Sequence, residues 1–204
     1  MRILQVFAAL LLSTAAYAQL VIGNDLPFQV NYATNLAYGD SFVTVTNSGA
    51  AATVSMPLQN GNICVNVYTY DPTEELVACC SCPLTPNALE FLSVKRDLII
   101  NTLTPAMPPS VVVKLLANVA TTCNAATVTS ASLTRGLIAW GTTMAQTSAG
   151  VYTPERTPFT SATLSTAELT RMTSLCGFIE ANGSGYGICN PCRTGSSGGA
   201  SRQQ

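Results

Sequence analysis

Hydrophobic and polar residues alternate along much of the chain, with the two-residue period of a strand whose two faces meet different surroundings. Stretches of this kind, divided by turn residues, cover residues 40–46, 54–58, 63–67, 76–80, 89–94, 111–118 and 137–144. Short strands at this spacing are typical of an antiparallel sandwich. The pattern therefore predicts a mostly β chain, folded as an antiparallel immunoglobulin-like sandwich.

Two hairpins can be placed within this pattern. In the first hairpin, Asn60-Gly61 separates the alternating runs 54–58 and 63–67. This pair suits a tight turn because both residues tolerate a positive φ. Pro57 cannot donate to a ladder, so the strand that contains it is predicted to lie at a sheet edge. The second hairpin is predicted to turn at residues 71–75 and to return through residues 76–80.

One helix is predicted near the end of the chain. Ser165 and Glu168 have the spacing of a capping box, and Leu164 and Leu169 have that of a hydrophobic staple. Asn182-Gly183 is a suitable stop, since both residues tolerate the left-handed conformation. The side chains at helical spacing that should form the buried face are Leu169, Met172, Cys176 and Ile179.

The first residues have the pattern of a secretory signal peptide. Arg2 supplies a positive charge, residues 3–12 are almost all apolar, and Ala16-Tyr17-Ala18 is a cleavage motif. The apolar run is shorter than the roughly 20 residues that a membrane-spanning helix needs. We therefore expect a signal peptide over 1–18, a single β-rich domain over 19–192 without a membrane span, and a disordered Gly/Ser-rich tail over 193–204.

Composition excludes several functions. Charged residues make up 9% of the chain, against about 25% in an average protein, and no basic patch is present that could neutralise nucleic-acid phosphates. Histidine is absent, which removes Ser-His-Asp and Cys-His catalysis together with histidine-ligated zinc.

The cysteines predict the main stabilising chemistry. An even number of cysteines behind a signal peptide is typical of a disulfide framework, here of four bridges. The eight are Cys64, Cys79, Cys80, Cys82, Cys123, Cys176, Cys189 and Cys192. The close spacings within 79–82 and 189–192 could also hold zinc or an iron–sulfur cluster. Disulfides are the favoured interpretation for an exported chain, so no metal and no cofactor is predicted.

Hairpin geometry limits the pairing. Cys79 and Cys80 are neighbours on a strand, so they should point to opposite faces and have different partners. A turn centred on Thr73 places Cys64 opposite Cys82, which favours a Cys64–Cys82 bridge, with Cys64–Cys80 as the next choice. The three cysteines near the end, Cys176, Cys189 and Cys192, would then join Cys79, Cys80 or Cys123.

Two stretches resemble a known group of proteins. Residues 62–72 with 79–86, which include Cys79-Cys80-Ser81-Cys82, and residues 175–192 are similar to stretches in uncharacterised exported proteins of soil acidobacteria. The resemblance implies a bacterial origin and a shared cysteine framework, and it implies no activity.

Three other features could carry chemistry. Glu74 and Glu75 beside Asp71 could be a glycosidase carboxylate pair or a calcium site, but a solvated turn is the preferred interpretation. Trp140 could be a sugar platform, but core packing is preferred. Residues 183–187 are rich in glycine but lack the Lys-Ser/Thr of a phosphate loop, so we assign no catalytic residue.

The sequence thus favours a non-enzymatic structural or binding protein that is secreted, periplasmic or held at the cell surface. One version is a subunit of a cell-surface assembly, whose partners would be copies of itself or other surface components. The alternative is a carbohydrate-active enzyme that works with a carboxylate pair alone.

The signal peptide gives a direct prediction. N-terminal sequencing of exported material should start at Gln19, because the cleavage motif ends at Ala18. Recovery of intact Met1 in the exported fraction would refute the assignment.

Overall fold

The computed structural model describes residues 25–51, 61–104 and 106–190. The strands within these ranges are β1 (Phe28–Ala33), β2 (Phe42–Asn47), β3 (Ile63–Tyr70), β4 (Leu76–Leu84), β5 (Leu89–Ser93), β6 (Val111–Asn118), β7 (Leu137–Ser148), β8 (Val151–Pro158) and β9 (Thr160–Ser161). The α-helix α1 covers Thr166–Asn182, with short helical turns at Val94–Leu98, Ala125–Thr127 and Ser130–Ser132.

The strands form two antiparallel sheets. The inner sheet has the strand order β4-β3-β6-β1-β9, and the outer sheet has the order β5-β2-β7-β8. Apolar side chains of both sheets fill the space between them. A second apolar cluster lies on the other face of the inner sheet, where α1 and the turn at Ala125–Thr127 cover it. The described residues are therefore stacked in three layers, with the inner sheet in the middle.

This layering explains the composition of β3. All eight of its residues are buried, although a strand with one solvated face would bury every second residue. Val65 and Val67 face the outer sheet, whereas Tyr68 and Tyr70 face α1. Alternation in β3 is thus between two buried surroundings, which the helix makes possible.

The predicted strands are confirmed wherever the structure describes them. The strand at 111–118 coincides with β6, and β2, β5 and β7 begin within two residues of the predicted starts. The sequence pattern missed β1, β8 and β9. In β8, Pro154 and Pro158 interrupt the pattern, as is common at a sheet edge. The signal peptide over 1–18, the strand at 54–58 with Pro57, and the tail over 193–204 lie outside the described residues.

The helix has the predicted ends and the predicted buried face. Ser165 Oγ accepts a hydrogen bond from the Glu168 backbone N–H at 3.1 Å, and Gly183 ends the helix with φ +64°. The four predicted face residues are buried against the inner sheet. Lys114 Nζ on β6 donates to the Glu168 carboxylate at 2.6 Å, which fixes the first helical turn over the inner sheet.

Three disulfides are present among the described residues. Cys79 bonds Cys176 of the helix, Cys80 bonds Cys189, and Cys64 bonds Cys123. The prediction that Cys79 and Cys80 take different partners on opposite faces is therefore confirmed.

The favoured Cys64–Cys82 bridge is wrong, and so is the second choice, Cys64–Cys80. Cys64 lies opposite Pro83, and Cys82 lies opposite Val65. A bulge beside Thr69 shifts the register by one residue, and a one-residue shift moves a side chain to the other face of the sheet. Cys82 consequently faces the core between the sheets, whereas Cys64 points to the helix side.

The framework can be mapped directly. Cys82 is also disulfide-bonded, and Cys192, outside the described residues, is the one cysteine left by count. We expect a digest of the unreduced protein to yield the three bridges above and a peptide joining Cys82 to Cys192. The native mass should be about eight daltons below the all-thiol value, one hydrogen for each sulfur. A free thiol, or a peptide linking Cys64 to Cys82, would contradict this framework.

Candidate functional site

A groove of about 470 Å³ lies where α1 passes the turn between β3 and β4. Its lining residues are Glu74, Glu75, Leu76, Leu103, Arg171, Leu175, Phe178 and Ile179. Leu76 and Ile179 are buried and form part of the apolar floor, while the charged residues stand at the rim. The groove therefore combines an apolar interior with charges at its edge, which is a common composition of binding sites.

The helix wall of the groove is unusual for a surface. Leu175 and Phe178 are one turn apart, and Phe178 leaves 68% of its surface exposed. They form a second apolar stripe beside the buried one, at positions where a surface helix ordinarily has polar residues. Grouped exposed apolar side chains of this kind commonly mark an interaction site.

The rim is held in place by a hydrogen-bonded turn. The Asp71 carboxylate accepts hydrogen bonds from the backbone N–H groups of Thr73 at 2.9 Å and of Glu75 at 3.0 Å. Glu74 has a left-handed φ of +69°, which completes the tight turn. Asp71 thus acts as a turn-forming carboxylate, and it leaves the exposed side chains of Glu74 and Glu75 as the acidic groups of the rim.

Arg171 joins the helix to this turn. Its Nη2 donates to the Glu74 carbonyl at 3.1 Å, and its guanidinium lies 5.8 Å from the centre of the Tyr70 ring. The guanidinium is thereby held against the protein, whereas the two glutamates project into solvent. Because the rim has two glutamates and one arginine, its net charge is negative.

Two buried tyrosines belong to the same apolar cluster as the floor of the groove. Tyr68 donates to the Ala125 carbonyl at 2.6 Å, whereas the Tyr70 hydroxyl has no hydrogen-bond partner among the described residues. Burial, with a smaller contribution from the negative charge of Glu168, raises the pKa of Tyr70 to about 12. Burial also raises the pKa of Tyr68.

The other residues that the sequence singled out have structural surroundings. The described cysteines are all oxidised, and no group of three metal-binding side chains occurs in the part of the chain that the structure describes. Gly183 ends the helix, and the Gly187 carbonyl accepts a hydrogen bond from the Cys79 backbone N–H at 2.8 Å. Residues 183–187 therefore lead from the helix to the edge of the inner sheet at β4.

The predicted core position of Trp140 is wrong. Its neighbours Leu137 and Ala139 are in the core, but Trp140 is half-buried on the opposite face of the outer sheet. The guanidinium of Arg156 lies 5.0 Å from the centre of the indole ring. The apolar run that suggested burial belongs to a strand that is buried on one face alone.

Sequence reasoning also missed a second pair of carboxylates. Asp40 accepts a hydrogen bond from the Ser93 hydroxyl at 2.5 Å, and Asp97 accepts one from the Ser93 backbone N–H at 2.8 Å. Asp40 also accepts the Lys95 backbone N–H at 3.0 Å. Both carboxylates therefore accept hydrogen bonds from backbone N–H groups, and these bonds stabilise the helical turn at Val94–Leu98.

Comparisons with known proteins add no further assignment. No family model, no curated protein and no solved structure matches this chain. Within the described residues, no helix has both the length and the apolar character needed to cross a bilayer.

The two tyrosines generate a paired prediction. Tyr70→Phe should leave the free energy of unfolding at pH 7 nearly unchanged, because the hydroxyl that it removes has no partner. Tyr68→Phe should cost about 1–3 kcal/mol, since it leaves a buried carbonyl unpaired. Urea unfolding followed by circular dichroism measures both values.

The buried Tyr70 hydroxyl also makes the free energy of unfolding depend on pH above pH 10. In the unfolded chain Tyr70 ionises near 10, but in the folded protein it stays neutral until about pH 12. The stability due to the neutral form is present below pH 10 and is lost as the pH rises toward 12. Tyr70→Phe should flatten this loss, and Tyr32→Phe, at an exposed position, should not. An unchanged pH dependence in Tyr70→Phe would refute the assignment.

Proposed function

We propose that the protein is an exported structural or binding domain without catalytic activity, and that it joins a cell-surface assembly through the groove beside α1. The observation that carries this proposal is the exposed apolar stripe of Leu175 and Phe178 in a groove with a fixed shape. The Cys79–Cys176 bridge ties the helix wall to the inner sheet. A site that is held in shape before binding loses little conformational entropy when it is occupied.

Export is supported by the chemistry of the cysteines. Three disulfides suit an oxidising compartment, where such bonds form and persist. The signal-peptide pattern over 1–18 suggests the same route, and the resemblance to exported acidobacterial proteins favours a bacterial source. We propose the periplasm or the cell surface as the place of action, with release into the medium as the alternative.

An immunoglobulin-like relationship is supported by four central strands. In that fold, strands B and E are neighbours in one sheet, and C and F are neighbours in the other. Here β2 pairs with β5, and β3 pairs with β6, in the matching chain order. The flanking strands differ, since β1 lies beside β6, β7 lies beside β2, and β4 lies beside β3. We propose an immunoglobulin-like core of β2, β3, β5 and β6 whose flanking strands are arranged differently.

The absence of catalysis is proposed on two grounds. The chain has no histidine, and the carboxylates of Asp40, Asp71 and Asp97 accept hydrogen bonds from backbone N–H groups. Glu74 and Glu75 are adjacent on an open turn, where water reaches both. A glycosidase needs instead two carboxyl groups on either side of a bound sugar.

The groove suits one kind of occupant. Its apolar floor would accept a bulky apolar side chain, and its acidic rim would favour a Lys or Arg next to that side chain. The partner we propose is therefore a surface protein that presents an apolar residue beside a basic one.

The assembly can be tested in native extracts of the producing cells. We expect the wild-type protein to sediment in a complex larger than the monomer, and Phe178→Ser to sediment as a monomer, because the apolar contact is lost. Glu74→Gln with Glu75→Gln should weaken the complex and should make it less sensitive to salt.

Val151→Ser is the matched control, since Val151 is an exposed apolar residue on β8, away from the groove. It should sediment as the wild type does. A monomeric wild-type protein, or a Phe178→Ser variant that stays in the complex, would contradict the proposed function.

A further inference from the structure

Three aromatic rings lie on the solvent face of the outer sheet. Val43, Ala139 and Leu92 point into the core, so the alternating residues Phe42, Trp140 and Phe91 point away from it. Phe91 leaves 47% of its surface exposed and stacks on Phe42 with ring centres 4.7 Å apart. We call these three rings, together with the neighbouring Thr44, Thr46 and Thr142, the aromatic face.

Strand register sets the spacing of the rings. Trp140 lies opposite Thr44, and Thr44 lies opposite Phe91. Trp140, Thr44 and Phe91 therefore form one row across β7, β2 and β5. Neighbouring strands are about 4.8 Å apart, so the positions of Trp140 and Phe91 are separated by about 10 Å.

The groups between the rings are neutral and rich in hydroxyls. Thr44 lies within the row, while Thr142 and Thr46 occupy the rows on either side of it. Hydroxyl groups both donate and accept hydrogen bonds. The aromatic face therefore offers aromatic rings with hydroxyls between them, which complements the apolar C–H faces and hydroxyl edges of a pyranose.

We infer that the aromatic face binds an extended β-1,4-linked polysaccharide, with Trp140 and Phe91 stacking against sugars two positions apart. Successive sugars of such a chain are turned over, so every second sugar presents the same face. The two-sugar repeat is comparable with the separation of about 10 Å given by two strand steps. A curved α-linked glucan would not keep its sugars in line with both rings.

Arg156 is compatible with this use of Trp140. It is an exposed residue on β8 whose guanidinium lies over the indole. Cation–π contacts at exposed sites are weak, so a sugar ring can displace the guanidinium.

The site is independent of the groove. The aromatic face is on the outer sheet, whereas α1 packs against the far side of the inner sheet. The domain would then hold a polysaccharide on one side and a protein partner on the other.

The test uses the mature exported protein and three insoluble probes: microcrystalline cellulose, chitin and granular starch. The bound fraction after sedimentation should be substantial on cellulose or chitin, and the affinity for starch should be at least tenfold lower. Cellulose and chitin differ in the C2 substituent, so the polysaccharide that is bound with the higher affinity identifies the preferred sugar. Because Trp140 is the sole tryptophan, cellohexaose or chitohexaose should also shift its fluorescence.

Variants assign the binding to the rings. Trp140→Ala and Phe91→Ala should each lower the affinity at least tenfold, whereas Trp140→Phe and Phe91→Tyr should retain most of it. Thr44→Arg, which inserts a long charged side chain into the row without removing a ring, should also abolish binding. Phe178→Ala is the control, since it removes an exposed ring from the groove and should bind as the wild type does.

The inference is wrong if neither cellulose nor chitin retains the protein, or if starch retains it equally. It is also wrong if Thr44→Arg, whose folding circular dichroism can verify, binds as well as the wild type. Loss of cell-surface assembly in Phe178→Ser with polysaccharide binding intact would separate this site from the groove.

Discussion

The adjacent cysteines of β4 are the constraint on which the three layers depend. Because neighbouring strand residues point to opposite faces, Cys79 reaches the helix and Cys80 reaches the segment that contains Cys189. These bridges close loops of 97 and 109 residues, and the chain-entropy model gives a loop of about 100 residues about 4 to 5 kcal/mol. One dipeptide thus fastens structure to both sides of the inner sheet.

Burial of β3 and β4 on both faces leaves recognition to other surfaces. Their side chains pack either in the core between the sheets or under α1. Exposed apolar side chains occur on the helix, at Leu175 and Phe178, and on the far side of the outer sheet, at Phe91. With few charged residues in the chain, both surfaces differ from their surroundings mainly in their exposed apolar side chains, and the groove adds an acidic rim.

Local features of the sequence predicted local structure well. Ser165 and Gly183 mark the helix ends because capping is decided by a few neighbouring residues. The pairing of Cys64 was beyond such reasoning, because a single bulge between β3 and β4 placed Cys82 on the opposite face of the sheet from Cys64. Trp140 was misplaced because an apolar run does not reveal that one face of its strand has no covering layer among the described residues. The groove was missed for a related reason: Phe178 is notable only once the helix is known to bury its neighbouring stripe.

The long separation between bonded cysteines has a consequence for biogenesis. Synthesis proceeds from the N-terminus, so Cys79 and Cys80 emerge about 100 residues before Cys176 and Cys189. During that interval Cys64, Cys79, Cys80 and Cys82 are close together on two strands without their final partners, whereas Cys123 becomes available earlier. Oxidation on the nascent chain would therefore trap non-native bridges, so we expect the yield of correctly bridged protein to depend on late oxidation or on a disulfide isomerase.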